Sequence, residues 1–166
     1  LKINGLRDYA IIWSEGQKVG TLERRLNEDT LNMEASSKEQ TINILVENMG
    51  RINFGPYLLE NYKGIIGNIE LGNQALQNWE IFSLPFNHPE KTIFSKQNIS
   101  LETPIIKKGN FNISKIGDTY LDFSNWGKGI AWINGHNLGK YWSIGPQQTL
   151  YVPKEWLKEG NNEIII

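Results

Sequence analysis

The chain of 166 residues contains no cysteine. That excludes a disulfide framework, a thiolate nucleophile and thiolate metal ligation. Histidine is almost as scarce: the two present, His88 and His136, stand too far apart in sequence for a histidine-based metal constellation, and no cofactor is called for. Charge of one sign is also lacking, because 17 Lys and Arg against 18 Asp and Glu give a net charge of −1. Without a basic footprint, nucleic acid and anionic membrane surfaces are disfavoured as partners. The longest apolar runs, such as Ile164 to Ile166, fall far short of the about 20 residues of a membrane-spanning helix. No segment sustains a 3.6-residue apolar stripe for three turns; Pro153 to Gly160 is at most one helical turn, opened by Pro and closed by Gly.

What is present is the composition of a folded protein, 39% hydrophobic and 11% aromatic, in a chain long enough for one ordinary domain or two small ones. The opening LKINGLRDYA carries no initiator methionine and no signal-peptide pattern, and the chain stops inside an apparent strand at Ile164–Ile166; both suggest an excised piece of something longer.

The periodicity is that of short strands. Residues 41–48 alternate Ile42, Ile44 and Val46 with Thr41, Asn43, Leu45 and Glu47, the pattern of a half-buried strand. Tyr9–Ser14 and Val19–Glu23 flank Glu15-Gly16-Gln17-Lys18 and predict a hairpin. Further strands are expected at Asp29–Glu34, Gly64–Leu71, Trp79–Leu84, Gly109–Ser114, Asp118–Ser124, Lys128–Asn134, Gln148–Pro153 and Asn162–Ile166. Gly, Asn, Asp and Pro punctuate them closely, as in antiparallel sheets rather than βαβ units. The fold class is therefore all-β, most simply a β-sandwich. Residues 86–108, with His88-Pro89, Thr103-Pro104 and scattered charge, read as a long connection between a β-rich region at 1–85 and a second at 109–166.

Two stretches carry more than periodicity. One is Trp126, Lys128-Gly129, Trp132, Asn134-Gly135, Asn137-Leu138-Gly139, Lys140 and Tyr141-Trp142, continued by Gly145-Pro146-Gln147 and Thr149 to Pro153. The other is LVENMGRINFG, Leu45 to Gly55, followed by Lys63-Gly64-Ile65. Together, in this order, they closely resemble the C-terminal β-domain region of the family 35 glycoside hydrolases, the β-galactosidases. The first matches the family pattern W-x-K-G-x-x-W-x-N-G-x-N-L-G-R-Y-W except that Lys140 replaces arginine, a change that would weaken a bidentate pair.

The resemblance implies a galactose-binding-like jelly roll at 109–166, preceded by strands of a second β-sandwich region. It implies a parent enzyme, secreted, periplasmic or lysosomal, that hydrolyses terminal β-galactosides with two glutamates on a TIM barrel. Such a barrel takes about 250 residues, and a retaining carboxylate pair stands about 5 Å apart across a cleft. Neither can be found in this sequence, so the chain itself is expected to be no glycosidase but a structural or accessory region whose partner is the barrel. The rival expectation is a module that holds galactosides by itself. The Asn-, Ile- and Lys-rich composition without cysteine points to a bacterial source, in which the sequons at Asn98 and Asn112 carry no meaning.

Under the rival reading, Trp126, Tyr141 and Trp142 would stack on sugar faces, with Gln147 binding hydroxyls and His136 as a further polar group. Under the structural one, Trp132 and Trp142 belong to a core and Asn134-Gly135 is a turn, with Gly139, Gly145 and Pro146 shaping the chain. In the upstream motif, Glu47 and Arg51 suggest acid–base chemistry, but Asn48, Gly50 and Asn53 favour a sharp turn whose charges pair with each other or with backbone. Asp118 and Asp122 suggest a carboxylate or calcium site, for which one strand supplies too few oxygen ligands.

Overall fold

The computed structural model describes residues 1–34, 36–95 and 103–166; the sequon at Asn98 lies outside them. The chain divides into two compact units, Leu1–Ser83 and Leu84–Ile166.

In the first unit the short strands β1 (Lys2–Ile3) and β2 (Leu6–Arg7) precede a hairpin of β3 (Tyr9–Ser14) and β4 (Gln17–Glu23). Strand β5 (Ile42–Glu47) joins the other edge of β3, setting Ile44 opposite Ile12 and Val46 opposite Ala10. Three very short strands follow, β6 (Gly64–Ile65), β7 (Ile69–Leu71) and β8 (Gln74–Ala75). Hydrogen bonding orders them as β4-β3-β5, β2-β6 and β1-β7-β8. The core consists of Leu1, Ile3, Leu6, Ala10, Ile12, Leu22 and Ile69, and Ile42, Ile44 and Val46 pack against it as their alternation requires.

Three expectations need correction. Asp29–Glu34 forms a single bridge, Lys2 to Thr30, rather than a strand; Leu31 is held by hydrogen bonds to Leu1 at both its N–H and its C=O, and polar Ser36-Ser37 ends the run. Gly64–Leu71 is not one strand: β6 pairs with β2, and β7 pairs with β1 and β8. Trp79–Leu84 is no strand at all, with Ile81 89% and Phe82 79% exposed. Its aromatic and β-branched residues suited the segment to a sheet, but among the described residues no neighbouring edge supplies its hydrogen bonds.

In the second unit, β9 (Lys108–Ile113), β10 (Thr119–Asp122), β11 (Lys128–Ile133), β12 (His136–Trp142), β13 (Thr149–Val152) and β14 (Gly160–Ile165) form two antiparallel sheets, β12-β11-β14-β9 and β10-β13. Phe123, Ala131, Tyr141 and Leu150, with Ile133, Val152 and Leu157, fill the space between them. This is a small sandwich. Strand β12 was not expected from the sequence. It follows directly from the two-residue Asn134-Gly135 loop, where φ is +48° and +84°, as a tight hairpin demands.

Gly129 shows why the motif needs a glycine beside Lys128. A β-carbon there would lie 2.5 Å from the Tyr141 hydroxyl and 2.7 Å from its Cζ, because the phenol lies flat over the Gly129 backbone. Gly129→Ala is therefore expected to displace the ring and cost about 1–3 kcal/mol, the usual range for overpacking. Thermal unfolding of the variant against the parent chain checks this, and an unchanged midpoint would refute it.

Candidate functional site

The turn-rich end of the second unit gathers most of the aromatic motif. The N–H of Ser143 donates to Gly127 O at 2.7 Å, that of Trp142 to Gln147 O at 2.8 Å, and that of Phe123 to Gln148 O at 2.8 Å. The Gln148 side chain adds a bond to Ser143 O at 2.5 Å, and the Gly145–Pro146 peptide is cis. Gly139 (φ +108°) lies opposite Ala131, next to the register shift of the hairpin.

These bonds do not bring the four sugar candidates onto one face. Tyr141 is 4% exposed, its ring stacked on Phe123 at 4.2 Å, so no sugar can reach its plane; burial also raises the pKa of its hydroxyl. It leaves the set of sugar-facing residues because its strand parity points it into the core. Trp142, the next residue, points to the opposite side of the sheet. There it lies across from Lys128, whose Nζ stands 5.1 Å from the indole centroid. Trp126 is 49% exposed, packs edge-on against Phe123 at 6.2 Å and has Lys107 Nζ 5.9 Å from its centroid. Gln147 is exposed. Each tryptophan thus has an ammonium near its face, a favourable cation–π arrangement that competes with sugar stacking.

Trp132 is buried on the sheet face opposite Ala131 and Ile133, beside Ile165. Asn134 does more than turn the chain. Its amide donates to Trp156 O at 2.7 Å and to Asn162 Oδ1 at 2.8 Å, and its Oδ1 accepts the Glu163 N–H at 2.9 Å. Asn162, fully buried, returns bonds to Lys158 and Gly160, and Lys158 N–H donates to its Oδ1. His136 opens β12, stacked on Trp156 at 4.7 Å. Asp118 accepts from the Lys154 N–H and the Tyr151 hydroxyl, and Asp122 from the N–H and Oγ of Ser124; these bonds hold both carboxyls below their ordinary pKa. Among the described residues no three His, Asp or Glu side chains converge.

The upstream motif surrounds a residue that sequence reasoning missed, Asp8. Its carboxylate accepts from Lys63 Nζ at 2.6 Å, from Arg24 Nη1 at 3.2 Å and from the Met49 N–H at 3.1 Å. Both Asp8 and Lys63 are nearly buried, at 12% and 9% side-chain exposure. Burial is the largest single influence and opposes ionisation, but the bonds from Lys63, Met49 N–H and Arg24 together hold the carboxyl below its ordinary value. Glu47 ends β5 half-buried, and its C=O accepts the Asp8 N–H at 3.1 Å. Asn48 Oδ1 caps the Gly50 N–H at 2.9 Å, and Arg51 donates to Asn61 O at 2.8 Å, while Asn53 is exposed. Beyond β5 the motif thus has Asn48 and Arg51 bonded to backbone groups. The lone signal for Asp8 was a charged residue amid the apolar pattern of β2 and β3.

These arrangements define a tandem of two small all-β domains, with the partly buried carboxylates Asp8 and Glu23 locked in ion pairs. Residues 1–85 match the family model of the β-galactosidase first all-beta domain, and residues 104–162 that of the β-galactosidase galactose-binding domain. The chain belongs to the β-galactosidase family and comprises the first all-beta domain and the galactose-binding domain of that family. It is 38% identical over 152 residues to the β-galactosidase of Xanthomonas manihotis, covering 92% of this chain and 25% of that protein. Human β-galactosidase-1-like protein 2 is 41% identical over 134 residues, covering 75% of this chain and 21% of the relative. The β-galactosidase of Canis lupus familiaris is 37% identical over 176 residues, covering 93% and 26%. The chain thus spans about a quarter of the length of these curated relatives.

Proposed function

We propose that this chain is the accessory region of a longer β-galactosidase, that it does not hydrolyse galactosides itself, and that it works by packing against a catalytic barrel carried elsewhere in the enzyme. The observation that carries this reading is a rim of apolar side chains on the first unit, Phe54 88%, Leu59 93% and Tyr57 66% exposed, in a chain matched to the family's β-domains. Large apolar side chains left exposed together in one short segment are what a protein contact would cover. The purified chain is expected to release no nitrophenol from p-nitrophenyl β-galactoside above the buffer rate. Turnover that persists after repurification would refute the reading.

A second reading, a galactoside-binding module, is supported by the half-exposed Trp126. With Tyr141 buried, its candidates are Trp126, Trp142 and Gln147. Calorimetric titration of the chain with galactose and lactose separates the two readings: saturation that disappears in Trp126→Ala would favour the module.

A further inference from the structure

Arg7, on β2, is a half-buried cation whose side chain makes no hydrogen bond or ion pair among the described residues. The cations around it are all engaged: Arg24 and Lys63 on Asp8, Arg25 on Glu23, and Arg51 on the Asn61 carbonyl. A guanidinium that is partly desolvated and makes no ion pair gains from an incoming counter-charge.

The surroundings define that partner. Arg7 lines a cleft of about 390 Å³ with Arg24, Tyr57, Glu60, Asn61 and Tyr62. The hydroxyls of Tyr57 and Tyr62 and the carboxylate of Glu60 also have no side-chain partner among the described residues. Two cations (Arg7 and Arg24) and one carboxylate (Glu60) line this cleft, and Arg24 shares Asp8 with Lys63, so the lining carries an excess of one positive charge that one incoming negative charge would match. Ile52, Phe54, Leu58 and Leu59 are exposed in the same loop segment. Tyrosine and arginine flanked by apolar residues are what interface hot spots are made of, with the apolar groups excluding water from the polar contact.

We propose that this cleft receives the carboxylate of an Asp or Glu side chain from the part of the longer enzyme that lies outside this chain, with Arg7 as its bidentate partner. The proposal rests on the accessory reading above and specifies its contact. The fork of a guanidinium matches a carboxylate with two parallel N–H···O bonds, which a lysine cannot reproduce. The Tyr57 and Tyr62 hydroxyls and the Asn61 amide supply donors for the remaining lone pairs.

The test compares the full-length enzyme carrying this region with the present chain alone, each as parent, Arg7→Met and Arg7→Lys. Hydrogen exchange of amides 50–62 and the thermal unfolding midpoint are followed in every case. Exchange in the full-length enzyme is expected to be at least about tenfold slower than in the chain alone. Arg7→Met should abolish most of that protection and lower the full-length midpoint by about 4 °C, with Arg7→Lys between the two and the midpoint of the chain alone unmoved. Protection that is indifferent to Arg7 would overturn the carboxylate contact while leaving the docking reading standing. Absence of any protection would overturn both. An equal fall in midpoint in the chain alone would make Arg7 an internal structural residue, and protection of the same amides in the chain alone by glucuronate would make the cleft a ligand site; either result overturns the proposal.

Discussion

Asp8→Asn is expected to destabilise the first unit at neutral pH by about 3–5 kcal/mol, the usual cost of removing one partner from a buried ion pair. The substitution keeps the shape of the side chain but leaves the Lys63 ammonium, 9% exposed and 2.6 Å from the Asp8 carboxylate in the parent, without its counter-charge. In a unit of this size such a loss is a large share of the total stability. The pH dependence follows from the lowered pKa of Asp8. A carboxyl that ionises more readily when folded than when unfolded contributes stability that is fully present above its unfolded pKa and lost as pH falls through its folded pKa. The gap between the parent and Asp8→Asn should therefore be widest at neutral pH and shrink below about pH 4, the ordinary carboxylate range. Thermal melts at pH 7 and pH 3 check this; a gap that stays constant across the two would show that Asp8 does not act through its charge.

In the second unit Asn162→Leu is expected to be the most damaging single change. The Asn162 side chain uses both amide hydrogens, to Lys158 O at 2.7 Å and Gly160 O at 3.0 Å, and its oxygen takes bonds from Lys158 N–H and Asn134 Nδ2. Leucine has similar bulk but, from a side-chain position with no exposure of its own, leaves four partly buried partner groups without their bonds. Each unsatisfied buried group costs about 1–3 kcal/mol, so a total of about 4 kcal/mol or more follows, enough to unfold a small sandwich at ordinary temperature. Near-ultraviolet circular dichroism reads the packing of Trp132, Trp142 and Tyr141 directly. A native spectrum for Asn162→Leu at 37 °C would mean that water can replace the amide.

Where neighbours in sequence were also neighbours in space, the sequence was readable. The alternation in Ile42–Glu47, the Glu15-Gly16 and Asn134-Gly135 turns and the single turn after Pro153 all follow from local backbone preference. Trp79–Leu84 shows the limit: its residues suit a strand, yet a strand needs an edge to bond, and which edges are free depends on the rest of the fold. Tyr141 and Trp142 show another. As a pair they read as sugar-stacking aromatics, but the pairing of Gly129 with Tyr141 commits one to the core and the other to the opposite face.

The all-β class and the family motifs follow from the sequence by itself, because period-2 patterning and turn residues act over a few positions and the motifs are contiguous. Only the tertiary structure decided the rest. It joined Asp8 to Lys63 across 55 positions and Asn134 to Asn162 across 28, covered the ring of Tyr141, and left Arg7 in a cleft without a partner among the described residues. The physical reason is that the energy of a buried polar group depends on what surrounds it in space, and no local pattern records those surroundings.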